Sequence, residues 1–282
     1  MKLSGIRYEP YNDSQYQAVR ALIGEDAGAG EVILRVLAEE PALFMTVFIE
    51  DRLVALAQVN EPAAQSYLTV FVCPQMRRQG IGTEVVKYGE DKLRAGGTRI
   101  VRSSYRADHP SAHAFASRLG YEPYFSSAYM ERTGDPYPQE ELPVRRYTDD
   151  DYIASQSLHA IAFHEMRVRV GRFPESAVAR SSEQERSAWE AEAEDRLVCE
   201  IGGEIVACSH LSGNVLSSIS VRPDMQRRGI GRKLTMYACN EIYRRGHETV
   251  SLWCVVGNDA RCLYDSLGFQ EKYTTAFIRK TL

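Results

Sequence analysis

The stretch VCPQMRRQGIG, residues 72–82, returns later in the same chain as VRPDMQRRGIG, residues 221–231. Seven of the eleven positions are identical, and Gly80 and Gly229 are 149 residues apart. Self-similarity at a long period indicates repeated structural units within one chain. The two copies therefore predict two related halves.

The repeat extends beyond these two stretches. Leu119-Gly120-Tyr121 matches Leu267-Gly268-Phe269, and SSAYMERT (126–133) matches TTAFIRKT (274–281), both at an offset of 148. Residues 133–143, TGDPYPQEELP, have the composition of a linker. We therefore predict a first domain over 1–134 and a second over 143–282.

Each half combines strand and helix patterns. Residues 43–59 and 196–211 are each typical of a hairpin, with turns at Glu-Asp and Gly-Gly. A short strand then precedes each repeated stretch, and an amphipathic helix that ends near glycine follows it. This order predicts an α/β (α+β) fold in both halves.

Composition restricts the class of protein. The chain has 282 residues, a net charge of −4 and a pI near 5.9, which argues against a general nucleic-acid or membrane-surface binder. Six cysteines form no C-x-x-C pair, and no signal-like or 18-residue apolar run occurs. We expect a cytoplasmic protein without disulfides. The histidines show no metal-ligand spacing, so no metal site is predicted.

The repeated stretch has the features of an anion site. It places arginines and glycines between a strand and the start of a helix, where backbone N–H groups and the helix dipole favour a phosphate. The alternative is a solvated loop whose arginines face water. Both copies also fit the pattern [Q/R]-x-x-G-x-[G/A], which is neither a Rossmann turn nor a P-loop.

On these motifs the sequence resembles the GNAT N-acetyltransferase superfamily over nearly its whole length. The resemblance implies a mixed, mostly antiparallel central sheet flanked by helices in each half, with acetyl-CoA or another acyl-CoA as cofactor. In that family the loop cradles the pyrophosphate, and the strand before it pairs with the pantetheine arm. The residues so implied in the second half are Ile219, Ser220, Val221, Gln226, Arg227, Arg228, Gly229, Ile230, Gly231, Arg232, Asn258 and Tyr264. Those in the first half are Val70, Phe71, Val72, Arg77, Arg78, Gln79, Gly80, Ile81, Gly82 and Thr83.

The family's second signature favours the second half as the catalytic one. Asn258 and Tyr264 precede Leu267-Gly268-Phe269, and in the family the tyrosine protonates the leaving thiolate. In the first half, Pro110 and Ala116 stand at these positions. Because alanine donates no proton, we expect a catalytically degenerate first domain. Tandem members such as mycothiol synthase have a similar division.

The implied reaction is direct attack of a primary amine on the thioester, with the oxyanion stabilised by backbone N–H near Val221. The strand before the second stretch, NVLSSISV, contains no acid, so His210 is the candidate general base, although a polar strand-end role is the alternative. Ser218 and Ser220 could hold a water, and His164 and Glu165 lie in the region expected to form the acceptor wall.

Residues 157–195 are the candidate acceptor segment. They contain Arg167, Arg169, Arg172 and Arg180, which form either a site for an acidic acceptor or the solvated faces of amphipathic helices. We predict a small-molecule amine as acceptor and either a monomeric pseudo-dimer or a homodimer. The alternatives are a protein N-acetyltransferase and a non-catalytic acyl-CoA-binding or regulatory module.

Overall fold

The computed structural model describes residues 5–24, 26, 33–34, 36–170 and 181–282. The chain divides into two compact units, Met1–Phe125 with Thr275–Leu282, and Ser126–Thr274. Each unit contains a mixed, mostly antiparallel sheet with helices packed on it, so the predicted fold class is confirmed.

The first unit is built on a six-stranded arrangement. Its strands are β1 (Ile6–Pro10), β2 (Phe44–Ile49), β3 (Arg52–Val59), β4 (Gln65–Val72), β5 (Ile100–Arg106) and residues 275–281 of β12 (Gln270–Thr281). Neighbours pair in that order, and only β4 and β5 are parallel. Its helices are α1 (Tyr16–Gly24), α2 (Ile81–Ala95) and α3 (Pro110–Arg118).

The second unit repeats this topology. Its strands are β7 (Val144–Arg146), β8 (Arg196–Ile201), β9 (Glu204–Ser212), β10 (Val215–Val221), β11 (Thr249–Val255) and residues 127–133 of β6 (Glu122–Thr133). They pair in that order, with β10 and β11 parallel. Its helices are α4 (Tyr152–Arg169), α5 (Glu183–Ala191), α6 (Ile230–Arg244) and α7 (Ala260–Ser266).

The last strand of each sheet comes from the other half of the sequence. Residues 275–281 pair antiparallel with β5 in the first unit, and residues 127–133 pair antiparallel with β11 in the second. The compact units therefore differ from the sequence halves of 1–134 and 143–282 by an exchange of final strands.

The cores follow the amphipathic faces of the long helices. Ile81 and Leu93 of α2 are fully buried on the first sheet, and Leu234 and Ile242 of α6 are fully buried on the second. On the opposite side of the first sheet, α1 buries Val19 in a separate apolar cluster. Each unit thus has helices on both faces of its sheet. The loop from β4 to α2, and the matching loop from β10 to α6, lies at one edge of these layers.

The predicted linker is held against the second unit. The backbone N–H of Tyr137 donates to Asn240 Oδ1 at 2.7 Å, and Asn240 Nδ2 donates to the Tyr137 carbonyl at 3.0 Å. The Arg132 guanidinium lies 4.0 Å from the centre of the Tyr137 ring. All six cysteines are free thiols, and only Cys262 is exposed. Within the described ranges, no helix has both the length and the apolar character to cross a membrane.

Candidate active site

The two repeated stretches adopt the same backbone conformation. After a short helical turn, Arg78 and Arg227 are left-handed at φ 65° and 61°, followed by Gly80 and Gly229 at φ 90° and 80°. The left-handed region is costly for a residue with a side chain and is concentrated at functional sites. Its presence in both loops indicates a backbone shaped for a ligand.

A matching hydrogen bond fixes the start of each loop. Arg77 Nε donates to the Val72 carbonyl at 3.0 Å, and Gln226 Nε2 donates to the Val221 carbonyl at 3.1 Å. This bond explains why either glutamine or arginine fits the first position of the motif. The rest of each loop is exposed, and Ile81 or Ile230 is the first buried residue of the following helix.

The strand before each loop diverges from its parallel neighbour. Pairing of β10 with β11 is registered only at Val215–Ser251, and pairing of β4 with β5 ends at Tyr67–Arg102. The later residues of both strands, including Ser220 and Val221 in one and Val70 to Val72 in the other, keep registered pairing only with the antiparallel neighbour. One backbone edge in each unit is thereby left for a further extended partner.

The first difference between the units is a bulge in β10. Ser217 pairs with His210 and Ser220 pairs with Cys208, so Ser218 and Ile219 stand opposite Ser209 alone. Ser218 is left-handed at φ 55°, whereas β4 pairs with β3 in continuous register. Bulges redirect backbone groups and are common beside active sites, and of these two strands only β10 has one.

The second difference is a cavity of about 370 Å³ in the second unit, bounded by α4, α5 and strands β8 to β10. The side chains around it are largely polar, and they include His159, Glu185, Arg196, His210 and Ser218. In the first unit, Phe71 takes the place of Ser220 and is buried among residues such as Val19 and Leu56. Among the described residues, apolar side chains therefore surround Phe71 on the same side of the first sheet.

Two histidines contact the bulged strand across this cavity. His210 Nδ1 lies 3.4 Å from Ser217 Oγ, and its Nε2 lies 3.3 Å from Glu192 Oε2. His159 Nδ1 lies 3.4 Å from Ser220 Oγ. Burial lowers the pKa of both rings, that of His159 to about 4, and the Arg167 and Arg196 charges lower the His159 pKa further. Both imidazoles are therefore neutral at neutral pH.

Tyr264 lies in α7 and is 7% exposed. Its ring meets Phe269 edge-on, and within the described ranges no group hydrogen-bonds to its hydroxyl. Burial raises the pKa of this hydroxyl well above its usual value, so it keeps its proton at neutral pH. The neighbouring Leu263 reaches to 4.0 Å of a Cβ built on Gly231, which places α7 beside the first turn of α6.

The other residues predicted to bind the cofactor differ in their contacts and in their exposure. Asn258 Oδ1 accepts the Ala260 N–H at 3.1 Å, which stabilises the turn just before α7. Arg227 is exposed, and Arg232 NH1 donates to Ser266 Oγ at 2.9 Å. Gly82 is closely covered, because a Cβ there would meet the Phe115 ring at 3.1 Å. Thr83 is exposed in the first turn of α2.

Only some of the residues predicted to bind the acceptor, in the segment 157–195, border the cavity. Arg167 borders the cavity, whereas Arg169 pairs with Asp259 at 2.8 Å; Arg172 and Arg180 lie outside the described residues. His164 and Glu165 are exposed and do not border the cavity.

Sequence reasoning missed His159 as a cavity residue. The available signal was a polar face on α4, where Ser155, Gln156 and His159 lie within one turn although Ser155 and Gln156 are buried. Polar residues on the buried face of a helix need partners and so point to a polar cavity.

Comparison with known proteins agrees with this architecture. Residues 6–121 match the acetyltransferase (GNAT) family, and residues 200–278 match FR47-like protein. The mycothiol acetyltransferase of Salinispora arenicola is 31% identical over 257 residues, which cover 81% of this chain and 78% of that protein. The ribosomal protein bS18-alanine N-acetyltransferase of Salmonella typhimurium is 46% identical over 59 residues, 20% of this chain and 38% of that protein.

Solved structures share the fold. A GCN5-related N-acetyltransferase from Sphaerobacter thermophilus has a TM-score of 0.79 and 22% identity, covering 98% of this chain and 95% of that one. A tandem GNAT protein from the clavulanic acid biosynthesis pathway has a TM-score of 0.65 and 16% identity, covering 98% of both chains. Since the Salinispora relative is similar over most of both sequences, the chain belongs to the acetyltransferase (GNAT) family, as a tandem N-acetyltransferase.

Proposed function

We propose that this protein transfers the acetyl group of acetyl-CoA to the primary amine of a small polar molecule held in the second unit. The observation that carries the proposal is the polar cavity against bulged β10, at a place that Phe71 fills in the first unit. Ligand sites combine such a concave space with a few converging polar groups.

Several features support the second unit as the catalytic one. Tyr264 is replaced by Ala116 in the first unit, and Ser220 is replaced by Phe71. The first loop keeps its conformation, but Arg77 forms an ion pair with Asp26 at 2.9 Å and Phe115 crowds Gly82. Within the described residues, the first unit thus has apolar Phe71 and Ala116 where the second unit has Ser220 and Tyr264.

The second unit is suited to hold acetyl-CoA. The left-handed loop Gln226–Gly229 and the first turn of α6, Ile230 to Arg232, offer backbone N–H groups and arginine charge for the phosphates. A Cβ on Gly231 would meet only ordinary contacts, at 3.4 Å from Val221. The free edge at Ile219 to Val221 suits the pantetheine amides. The bound cofactor supplies the acyl thioester.

Different groups of the protein donate a proton, stabilise the oxyanion and accept a proton. Tyr264 keeps its proton because of burial and serves as the acid at the leaving sulfur. Backbone groups of the β10 bulge, near Val221, serve the developing oxyanion. A neutral cavity histidine accepts the amine proton, and His210 is the residue that the sequence predicts for this role.

The cavity favours a polar acceptor. Tyr147 Oη, Ser155 Oγ, Ser209 Oγ and Arg196 Nε all border the cavity and, within the described ranges, have no hydrogen-bond partner. Buried polar atoms normally find a partner, so a ligand rich in hydroxyl or amide groups would satisfy them. The mycothiol acetyltransferase relatives favour an amine of this kind, whereas the bS18 acetyltransferase match covers 20% of the chain.

An acceptor panel tests the activity. Release of CoA is measured with desacetylated mycothiol, glucosamine, spermidine, glutamate, kanamycin and an N-terminal alanyl peptide. We expect turnover with a small polar amine. Turnover with the peptide alone would instead establish the protein N-acetyltransferase alternative.

Replacing Ser220 by phenylalanine tests the site. The new ring would fill the cavity as Phe71 fills the first unit, so the KM of the accepted amine is expected to rise at least about tenfold. Acetyl-CoA affinity, measured by calorimetry, should change little. Ser212→Phe, at the exposed end of β9, is the matched control. Unchanged amine kinetics in Ser220→Phe would contradict the location of the acceptor.

A further inference from the structure

We infer that His159, rather than His210, is the general base that takes the proton from the acceptor amine. The inference rests on the proposed function and deepens it by naming the residue. The two histidines border the same cavity but differ in the hydrogen-bond partners of their ring nitrogens, and this difference supports the inference.

Hydrogen bonding fixes the tautomer of His159. Ser220 Oγ donates its proton to the Ser218 carbonyl at 3.1 Å, so only its lone pairs remain to face His159 Nδ1 at 3.4 Å. Nδ1 must then carry the proton of the neutral ring. The lone pair is therefore on Nε2, which hydrogen-bonds to no group in the described ranges.

Both ring nitrogens of His210 have a polar neighbour. Its Nε2 lies 3.3 Å from Glu192 Oε2, an acceptor that requires the proton on Nε2. Its Nδ1 faces Ser217 Oγ at 3.4 Å, and that hydroxyl also donates to the His210 carbonyl at 3.2 Å. Both nitrogens of His210 thus have a polar neighbour, whereas within the described ranges His159 Nε2 has none.

The position of His159 suits the reaction. Its partner Ser220 belongs to the strand segment that leads to the loop, beside the left-handed Ser218. The ring is stacked on Phe163, with centroids 4.2 Å apart, which fixes its orientation. A fixed ring beside the reacting strand meets the geometric requirement for a general base.

Burial, and after it the charged groups around the ring, lower the pKa of His159 and keep it neutral. Arg167 on its own helix and Arg196 on β8 disfavour the imidazolium, while Glu185 on α5 acts weakly in the other direction. Glu185 already accepts hydrogen bonds from Tyr152 at 2.7 Å and Gln156 at 2.5 Å. Cys208 and His210 on β9 also border the cavity, and burial raises the pKa of the Cys208 thiol to about 12, so it stays neutral.

The proton transfers balance. As the amine nitrogen bonds to the acyl carbon, one N–H proton passes to His159 Nε2, and the C–S bond breaks with its electron pair on sulfur. Tyr264 Oη gives its proton to that sulfur. Exchange with water then removes the proton from His159 and restores the one on Tyr264.

The test begins with the enzyme alone. Nitrogen-detected NMR of the histidine rings at neutral pH should give the Nδ1–H tautomer for His159 and the Nε2–H tautomer for His210. His159→Gln and His210→Gln assign the signals. An Nε2–H or doubly protonated His159 at neutral pH would overturn the inference, whatever the activity of the protein.

Kinetics with the amines of the acceptor panel form the second arm. His159→Gln is expected to lower kcat at least about tenfold with little change in acetyl-CoA affinity, and added imidazole should restore part of the loss in His159→Ala. His164→Gln, an exposed position on the same helix, is the control. A larger loss in His210→Gln than in His159→Gln would return the role to His210. A wild type inactive with every amine would instead contradict the proposed function.

Discussion

Replacing Tyr264 by phenylalanine is expected to lower kcat by about 10²- to 10⁴-fold, the range associated with loss of a general acid. Burial holds the proton on this hydroxyl, so at neutral pH the wild-type group is ready to donate. Within the described ranges the hydroxyl has no hydrogen-bond partner, so its removal should leave the melting temperature nearly unchanged. The ring contact with Phe269 remains in the variant.

Steady-state kinetics with the accepted amine, together with acetyl-CoA titration, check this prediction. Tyr237→Phe, on α6 of the same unit, removes a tyrosine hydroxyl elsewhere in that unit and should keep normal turnover. A Tyr264→Phe enzyme with kcat within threefold of the wild type would show that another group, or water, protonates the sulfur.

Deletion of residues 275–282 is expected to unfold the first unit, although these residues end the second half of the sequence. They pair with β5 over seven registered positions and bury Ile278 in the first core. Lys280 Nζ also lies 2.7 Å from Glu90 Oε2, and the Glu90 side chain is 8% exposed. Loss of a sheet strand removes the partner groups of β5 along its whole length.

Hydrogen exchange measures this result. Protection should be lost in β4 and β5, and it should remain in β8 and β9 of the second unit. Lys280→Met is the milder variant, and it should reduce the free energy of unfolding of the first unit by about 2–3 kcal/mol, because it removes the cationic partner of the buried Glu90 carboxylate.

Lys272→Met is the matched control for that variant. Lys272 is half exposed and its Nζ lies 3.6 Å from Glu131 Oε2, so the change should be less than about 1 kcal/mol. Intact protection of β5 in the truncated chain would mean that residues 275–282 do not hold the first unit together.

The sequence predicted the repeat, the fold class and the position of both loops because local patterns encode them. Strand-to-helix order, the glycine at the helix start and the buried isoleucine after it are all visible in residues 72–82 and 221–231. It did not predict left-handed Arg78 and Arg227, since side-chain identity favours glycine at such positions.

The exchange of final strands was beyond sequence reasoning for a physical reason. SSAYMERT and TTAFIRKT have nearly the same alternation of side chains, so either strand fits the edge beside β5 or β11. Only tertiary contacts determine which of the two strands pairs with β5 and which pairs with β11. Lys280 pairs with Glu90, whereas Arg132, at the same place in the repeat, donates to the Leu267 carbonyl at 3.1 Å.

The bulge and the acceptor cavity were also missed. A single added residue in β10 does not disturb the hydrophobic pattern of LSSISV, yet it changes the direction of Ser218. The cavity is formed by residues far apart in sequence, with His159 on α4 and Arg196 on β8. Spacing along the chain carries no information on such a convergence.

The central claim is that the second unit is the working half, and the direct measurement compares Gly231→Glu with Gly82→Glu. Each variant places a bulky anion where the loop and helix would hold the phosphates. Acetyl-CoA titration and amine turnover are measured for both variants and the wild type. The melting temperature of each variant shows whether it still folds. This control is needed for Gly82→Glu because the Phe115 ring must move slightly to admit the new side chain. We predict that Gly231→Glu abolishes turnover and acetyl-CoA binding in the second unit, while Gly82→Glu retains turnover. Turnover that survives Gly231→Glu and is lost in Gly82→Glu would contradict this prediction.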